Sequence, residues 1–223
     1  MPTVPLFPLQ TVLVPGLVLP LHIFEPRYRL MIRTLADSPE EDRGFGVVAI
    51  RPGSDPENEG LSALYPVGTM ARIMDVDPLP DGRFDVVTVG ARRFSILSLV
   101  PGLPYLRADV RLHGEPVGDP RRAAVLARAA TALLGQYRSL IAAWGVIELA
   151  EIEDLPKDPV VLSHLVSSAI VTDLTERQRL LGITDAEGRL AAACAVLRRE
   201  IALMSALPSM PAVDLAAARP CNN

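Results

Sequence analysis

The chain has 223 residues, a formal net charge of −4 and a sequence pI near 5.4. At about 150 residues per domain the length suits one large domain or two small ones, and the acidic balance argues against a nucleic-acid binder, which needs a basic face. The only cysteines, Cys194 and Cys221, are far apart and lack CxxC spacing, which argues against a disulfide framework and fits a reducing cytoplasm.

Four prolines, Pro8, Pro15, Pro20 and Pro26, cut the strongly apolar opening 6–32 into short pieces. Val4–Leu9, Thr11–Val14 and Leu17–His22 read as extended segments, with Pro15-Gly16 as a turn and Pro20 at an edge or bend. After Phe24 the period changes: Tyr28, Met31, Ile32 and Leu35 fall on one helical face, Pro26 suits the first turn, and Glu25 puts negative charge at the helix's positive end. Further strands are predicted at Phe45–Ile50, Val67–Val76, Arg83–Val89, Phe94–Leu99 and Tyr105–Leu112, with the Asp81-Gly82 turn joining two of them. Loops 37–43 and 51–62 are polar and expected to be mobile. So many short strands suggest a small barrel or sandwich over 1–117.

The region 118–207 reads as helical. Val125, Ala129, Leu133, Tyr137, Ile141 and Trp144 form an apolar stripe. Asp158 followed by Pro159 opens a helix that buries Val161, Leu162, Leu165 and Ile170. Thr175-x-x-Gln178 and Thr184-x-x-Glu187 read as capping boxes, Gly182 stops the first of these helices, and Leu190, Cys194, Leu197, Ile201 and Met204 form a seam on the second. The stretch 208–223 carries three prolines and no periodicity and is expected to be disordered. No uninterrupted apolar run approaches the roughly 18 residues of a membrane span, and no basic region precedes the first apolar segment, so no signal peptide is expected.

The opening VPLFPLQTVLVPGLVLPLHIFEPRYRLMI resembles the start of the substrate-binding N-terminal domain of Lon proteases. YPVGTMARI, LPDGRFDVVTVGARRFSI, PYLRADVRL and LTERQRLLGITDAEGRLAAACAVLRREIALM are similar to its later parts, so the resemblance runs from about 4 to 207. It implies an α+β fold: a PUA-like pseudo β-barrel followed by a C-terminal helical bundle. In full-length Lon proteases an ATPase and a Ser–Lys protease module follow; the resemblance implies a stand-alone N-domain-like protein without them.

Little in the residues suggests catalysis. There is no Gly-Lys pair for a phosphate loop, and Lys157, the sole lysine, lies between prolines in LPKDP and is expected to be exposed. The three histidines, His22, His113 and His164, show no metal-ligand spacing; His22 is read as hydrogen-bonded and partly buried, and Cys194 as a core residue. Asp75, Asp77, Asp81 and Asp85 read as a solvated hairpin end rather than a cation site. The string Phe24-Glu25-Pro26-Arg27-Tyr28 is read as structural, setting the bend and anchoring Tyr28. No catalytic residue, metal or cofactor is assigned, and the chain is not expected to be an enzyme.

That leaves binding. The resemblance implies recognition of unfolded or exposed apolar polypeptide segments, as an adaptor or chaperone-like factor beside a Lon-type ATP-dependent protease. With 49% hydrophobic residues the chain has enough apolar surface for a groove between barrel and bundle, and Tyr137 and Trp144 are the named contact candidates. Three alternatives remain: an RNA-binding module resting on Arg92-Arg93, Arg121-Arg122 and Arg198-Arg199, a self-associating homodimer, and an unrecognised hydrolase with a clustered triad.

Overall fold

One strand takes part in three of the sheet's six pairings. A computed structural model describes residues 1–39, 43–143 and 155–206. Its strands are β1 (Thr3–Leu9), β2 (Val18–Ile23), β3 (Gly44–Ala49), β4 (Val67–Pro78), β5 (Phe84–Leu99) and β6 (Arg107–Leu112). The ring β5-β4-β3-β1-β6 closes on itself through the pairing of β5 with β6, giving a five-stranded barrel with β2 added along the first half of β5. All pairings are antiparallel except β1 with β3.

The two segments expected at 83–89 and 94–99 are thus one 16-residue strand. Gly90 reads as a separator in the sequence, but in the fold it is the place where another backbone crosses. Its N–H donates to the Leu17 carbonyl and its carbonyl accepts from Gly16, while a Cβ there would lie 2.2 Å from the Val14 carbonyl oxygen. Segment 11–14 is accordingly no strand; it runs over β5, and its Leu13 carbonyl accepts from the Thr69 hydroxyl at 2.6 Å. The Asp81-Gly82 hairpin is as predicted, with Gly82 at φ 79° and Leu79 donating to Arg83.

Helix α1 (Pro26–Ala36) closes one side of the barrel. Its four periodic residues, Tyr28, Met31, Ile32 and Leu35, are all buried against Phe7, Phe45 and Phe84. Each such burial contributes about 1.5–3 kcal/mol relative to exposure. Loop 51–62 holds a short helix, α2 (Pro56–Glu59), and a following turn of 3-10 helix, because the Asp55 carboxylate accepts from Glu57 N–H.

The helical half comprises α3 (Pro120–Ala143), α4 (Pro159–Ala169), α5 (Leu174–Gly182) and α6 (Ala186–Ala206), with α6 packed on α3 and α4. Aspartate side chains accept from first-turn N–H groups in all four: Asp119 from Arg121, Asp158 from Val160, Asp173 from Glu176 and Asp185 from Gly188. The two expected threonine capping boxes are therefore replaced by caps from Asp173, which precedes Thr175, and Asp185, which follows Thr184, each accepting from the N–H three residues on. The α3 stripe also differs from expectation. The buried residues are Ala123, Ala130, Leu134, Tyr137 and Ile141, whereas Val125 is exposed, because the true seam follows spacings of seven, four, three and four. Val161 on α4 is likewise exposed, while Leu162 and Ile170 are buried. Trp144 and the segment 208–223 lie outside the described residues.

Barrel and bundle are joined by a buried polar cluster centred on Arg93 of β5, which is 1% exposed. Its Nε and Nη2 donate to the two carboxylate oxygens of Glu115 at 2.7 and 3.1 Å. Its remaining N–H groups donate to the carbonyls of Leu181 (2.8 Å), Ile183 (2.6 Å) and Thr184 (2.8 Å) at the C-terminal end of α5. A guanidinium there satisfies orphan carbonyls and meets the negative end of the helix dipole. Arg189 of α6 donates to Glu115, to the Ile183 carbonyl and to Ser163 Oγ, and His164 of α4 shares Glu115 Oε2 at 3.2 Å. An apolar seam of Val12, Val14, Ala49 and Leu181 continues the contact, and Gln178 donates to the Val67 carbonyl at 2.8 Å.

This cluster makes stability depend on pH. Burial opposes charge on Glu115, but hydrogen bonds from His164 and Arg93 and the Arg93 charge outweigh it and lower the carboxyl from 4.5 to about 2. Burial, with the Arg189 and Arg93 charges, also lowers His164 below 6.5 despite its bond to Glu115. Both groups bind protons more weakly folded than unfolded, so each contribution is complete above the unfolded value and is lost as pH falls. Denaturant melts are expected to show stability falling first below pH 6.5, through His164, and again between 4.5 and 2, through Glu115. Glu115→Gln is expected to cost about 3 kcal/mol at neutral pH, because it leaves buried arginines without their counter-charge, and to remove the second step. An unaltered acid limb in this variant would show that Glu115 does not carry it.

Candidate functional site

At one end of the barrel the chain leaves an open groove of about 790 Å³. Its floor comes from the ends of β1 and β2, the start of α1 and the loop before β6: Phe7, Leu9, Leu21, Tyr28, Leu103 and Tyr105. The Phe7 ring lies 4.3 Å from Tyr28 and 5.7 Å from Phe45, so the floor is continuous with the barrel core. Phe24, in the bend between β2 and α1, lines the groove yet is 61% exposed, and Leu103 opposite is 44% exposed. Pro26 starts α1 at once, so Phe24 precedes the helix and falls off its buried face.

The rim is charged but internally paired. Arg27 donates from Nε to Glu25 at 2.9 Å, pairs with Glu57 of α2 and places its guanidinium 4.8 Å from the Tyr28 ring centre. Burial raises the Tyr28 phenol above its ordinary value, so the ring is neutral at physiological pH. On the neighbouring edge, His22 stacks on Phe24 with centroids 6.4 Å apart. Arg83 can only donate, so its 3.0 Å contact makes His22 Nε2 an acceptor, and Nδ1–H donates to Asp85 at 2.6 Å. His22 is hydrogen-bonded as expected, but it is exposed rather than partly buried. With both ring nitrogens engaged, it has no free lone pair to act as a base.

A second pair bears on catalysis more directly. Ser95 Oγ and His113 Nε2 are 2.7 Å apart, within the reach of a nucleophile and its base. No carboxylate among the described residues bonds His113 Nδ1, and neither residue lines the groove. Burial and the nearby Arg93 charge lower His113, so the imidazole is neutral at pH 7. The pair makes a cross-strand hydrogen bond between β5 and the end of β6, outside the groove and with no orienting acid among the described residues.

The other residues singled out in the sequence fall elsewhere. Tyr137 is 3% exposed in the bundle core, where its hydroxyl accepts from Val171 N–H at 3.1 Å. It faces α4 and α6, so it touches no open groove; Trp144 lies outside the described residues. Lys157 is exposed, and Cys194 is buried with its thiol pushed up by burial. Asp81 and Asp85 are engaged by Arg83 and His22, and no cluster of three metal-ligating residues occurs among the described residues. Of the arginine pairs, Arg93 is consumed by the interdomain cluster, which removes part of the basis for RNA binding. No helix among the described residues is long and apolar enough to cross a membrane.

Comparisons with known proteins agree with this architecture. A family model described as the ATP-dependent protease La (LON) substrate-binding domain matches residues 3–199. The Lon protease of Escherichia coli K12 is 28% identical over 202 residues, covering 90% of this chain and 25% of that protein. Lon protease 2 of Herpetosiphon aurantiacus is 29% identical over 211 residues, covering 90% and 24%. The chain thus spans about a quarter of the length of these curated relatives. The crystal structure of a Lon N-terminal domain protein from Xanthomonas campestris superposes with a TM-score of 0.61 at 23% identity, covering 93% of this chain and 100% of that one. The N-terminal domain of a Mycobacterium avium complex Lon protease gives 0.63 at 22% identity, covering 90% and 98%.

Ser95→Ala is expected to cost no more than about 1 kcal/mol in a urea melt. It is also expected to leave turnover of p-nitrophenyl acetate by the purified protein at the wild-type level. A loss of about a hundredfold or more in that rate would identify the serine and His113 as a working nucleophile and base.

Proposed function

Because the chain belongs to the ATP-dependent protease La (LON) substrate-binding domain family, we propose that it is a non-catalytic module that holds unfolded or otherwise exposed apolar segments of polypeptides. The observation that carries this reading is Phe24, a large aromatic left 61% exposed at the mouth of an apolar groove. Aromatics give large contact area at low entropic cost, and a partner that covers one gains about 1.5–3 kcal/mol.

The groove's form supports a broad client range. Its walls are aliphatic and aromatic, with few polar groups to demand one sequence. Its rim glutamates Glu25 and Glu57 are both engaged by Arg27, so a client need not bring a charge to satisfy them. Strand addition is the competing mode of peptide capture, and the fold disfavours it. β2 is the free edge of the sheet. The Gly90-to-Leu17 bond and the β2–β5 register put Leu19 and Leu21 in bonded pairs, which turns Pro20 outward with no N–H to offer. Side-chain burial in the groove is therefore the favoured mode. In this reading the protein works in the cytoplasm as an adaptor or chaperone-like factor for a Lon-type ATP-dependent protease.

The double variant Phe24→Ser, Leu103→Ser tests the reading. Fluorescence anisotropy with labelled, reduced and carboxymethylated α-lactalbumin is expected to show affinity reduced about tenfold or more, with circular dichroism unchanged because both side chains are exposed. Equal affinity in wild type and variant would overturn the assignment of the groove.

A further inference from the structure

A second concavity of about 460 Å³ lies at the other end of the barrel, between the start of β1, the end of α1 and the middle of β4 and β5. Its floor is apolar, formed by Val4, Leu35, Met70 and Leu112. Arg43, Arg72 and Arg92 stand around it, and no carboxylate among the described residues lines it. None of the three is in an ion pair with a described residue: Arg43 donates to the Ser38 carbonyl, Arg92 makes a 3.3 Å contact with the His113 carbonyl, and the Arg72 guanidinium has no hydrogen-bond partner among the described residues. In a protein of net charge −4, three arginines converging on one apolar hollow are an uneven use of charge.

We propose that this hollow binds the C-terminal carboxylate of a polypeptide, with the last, apolar side chain on the Met70 floor. Arginine holds a carboxylate through paired N–H donors, while the floor recovers the energy of an apolar group. The site has no aromatic residue on which a base could stack, which disfavours a nucleotide or RNA end. It is also open, so a trailing chain can leave it, whereas a free small molecule needs most of its surface enclosed. The proposal rests on the reading of this domain as polypeptide-binding and adds a recognition element for chain ends, separate from the groove at Phe24.

The test uses the full chain and a fluorescein-labelled hexapeptide, Gly-Ser-Gly-Ser-Ala-Leu, as the free acid and as the C-terminal amide. The acid is expected to bind about tenfold or more tightly than the amide, and Arg72→Gln with Arg92→Gln to bring the acid down to the level of the amide. Both arginines are exposed, so the variant is expected to keep its fold, checked by circular dichroism. The double variant Phe24→Ser, Leu103→Ser is expected to leave this peptide's affinity unchanged, which separates failure of the hollow from failure of the groove. Equal binding of acid and amide, or no binding of the acid up to about 1 mM, would overturn the proposal. So would a single-stranded uridine oligomer that binds more tightly than the acid and is lost with the same arginines. The sequence places Glu40, Glu41 and Asp42 directly before Arg43; binding that emerges only after these three are changed to amides would point to occupation by the chain itself and would also overturn it.

Discussion

The guanidinium of Arg93 fixes the relation between the two halves of this protein. It presents five N–H donors and uses all five, two on Glu115 and three on carbonyls at the end of α5. Glu115 in turn engages α4 through His164 and α6 through Arg189. One strand, one connecting loop and three helices thereby share a single charge cluster. Burying such groups costs much of what their attraction returns, so the cluster adds less net stability than its bond count implies. Its clearer effect is on geometry, since a planar fork with five fixed directions admits one docking of bundle on barrel.

With the bundle held at one side, the barrel is left with its ends open, and these ends have different chemistry. One is a groove of aliphatic and aromatic walls with Glu25 and Glu57 drawn onto Arg27 at its rim; the other is a smaller hollow ringed by arginines. Among the described residues, two contacts resemble parts of a catalytic site but are incomplete or already engaged. The Ser95–His113 contact lacks its orienting acid, and the His22–Asp85 contact has its remaining nitrogen taken by Arg83. Affinity for apolar chain segments needs none of these parts, only surface that is costly to leave in water and accessible to a partner.

Much of the fold could be read from local pattern. The α1 face followed directly from four apolar residues at helical spacing, and the β-rich texture before 117 and the Asp81-Gly82 turn gave the barrel's hairpin. The misreadings have identifiable causes. Gly90 looks like a break because nothing in sequence reveals that the 11–17 segment crosses there. The α3 seam slipped because a strict four-residue repeat drifts off the face that a 3.6-residue helix keeps buried. The groove at Phe24 was not legible for a more general reason. It is built from residues near 7, 24, 57 and 103, whose proximity is a property of barrel closure, whereas Tyr137 was attractive as a large aromatic on the long helix. The family resemblance correctly supplied the architecture, but Phe24 had been absorbed into a structural explanation of its motif. The signal available was that it precedes the periodic set Tyr28, Met31, Ile32 and Leu35 and so has no assigned face.

The long strand β5 has one more implication. Its first half pairs with β2 and β4 and its second with β4 and β6, so it is common to the flap and to the closed ring. Releasing β5 would break three ladders at once, whereas β2 can leave with the ring intact. Its pairing with β4 forms through the local Asp81-Gly82 hairpin, but its partners on β2 are more than sixty residues away, so loop closure is costly for that ladder. The β2 pairing is accordingly the slow part of assembly, and until the barrel is complete the newly made chain displays bare apolar segments of the same kind that we propose the finished one holds.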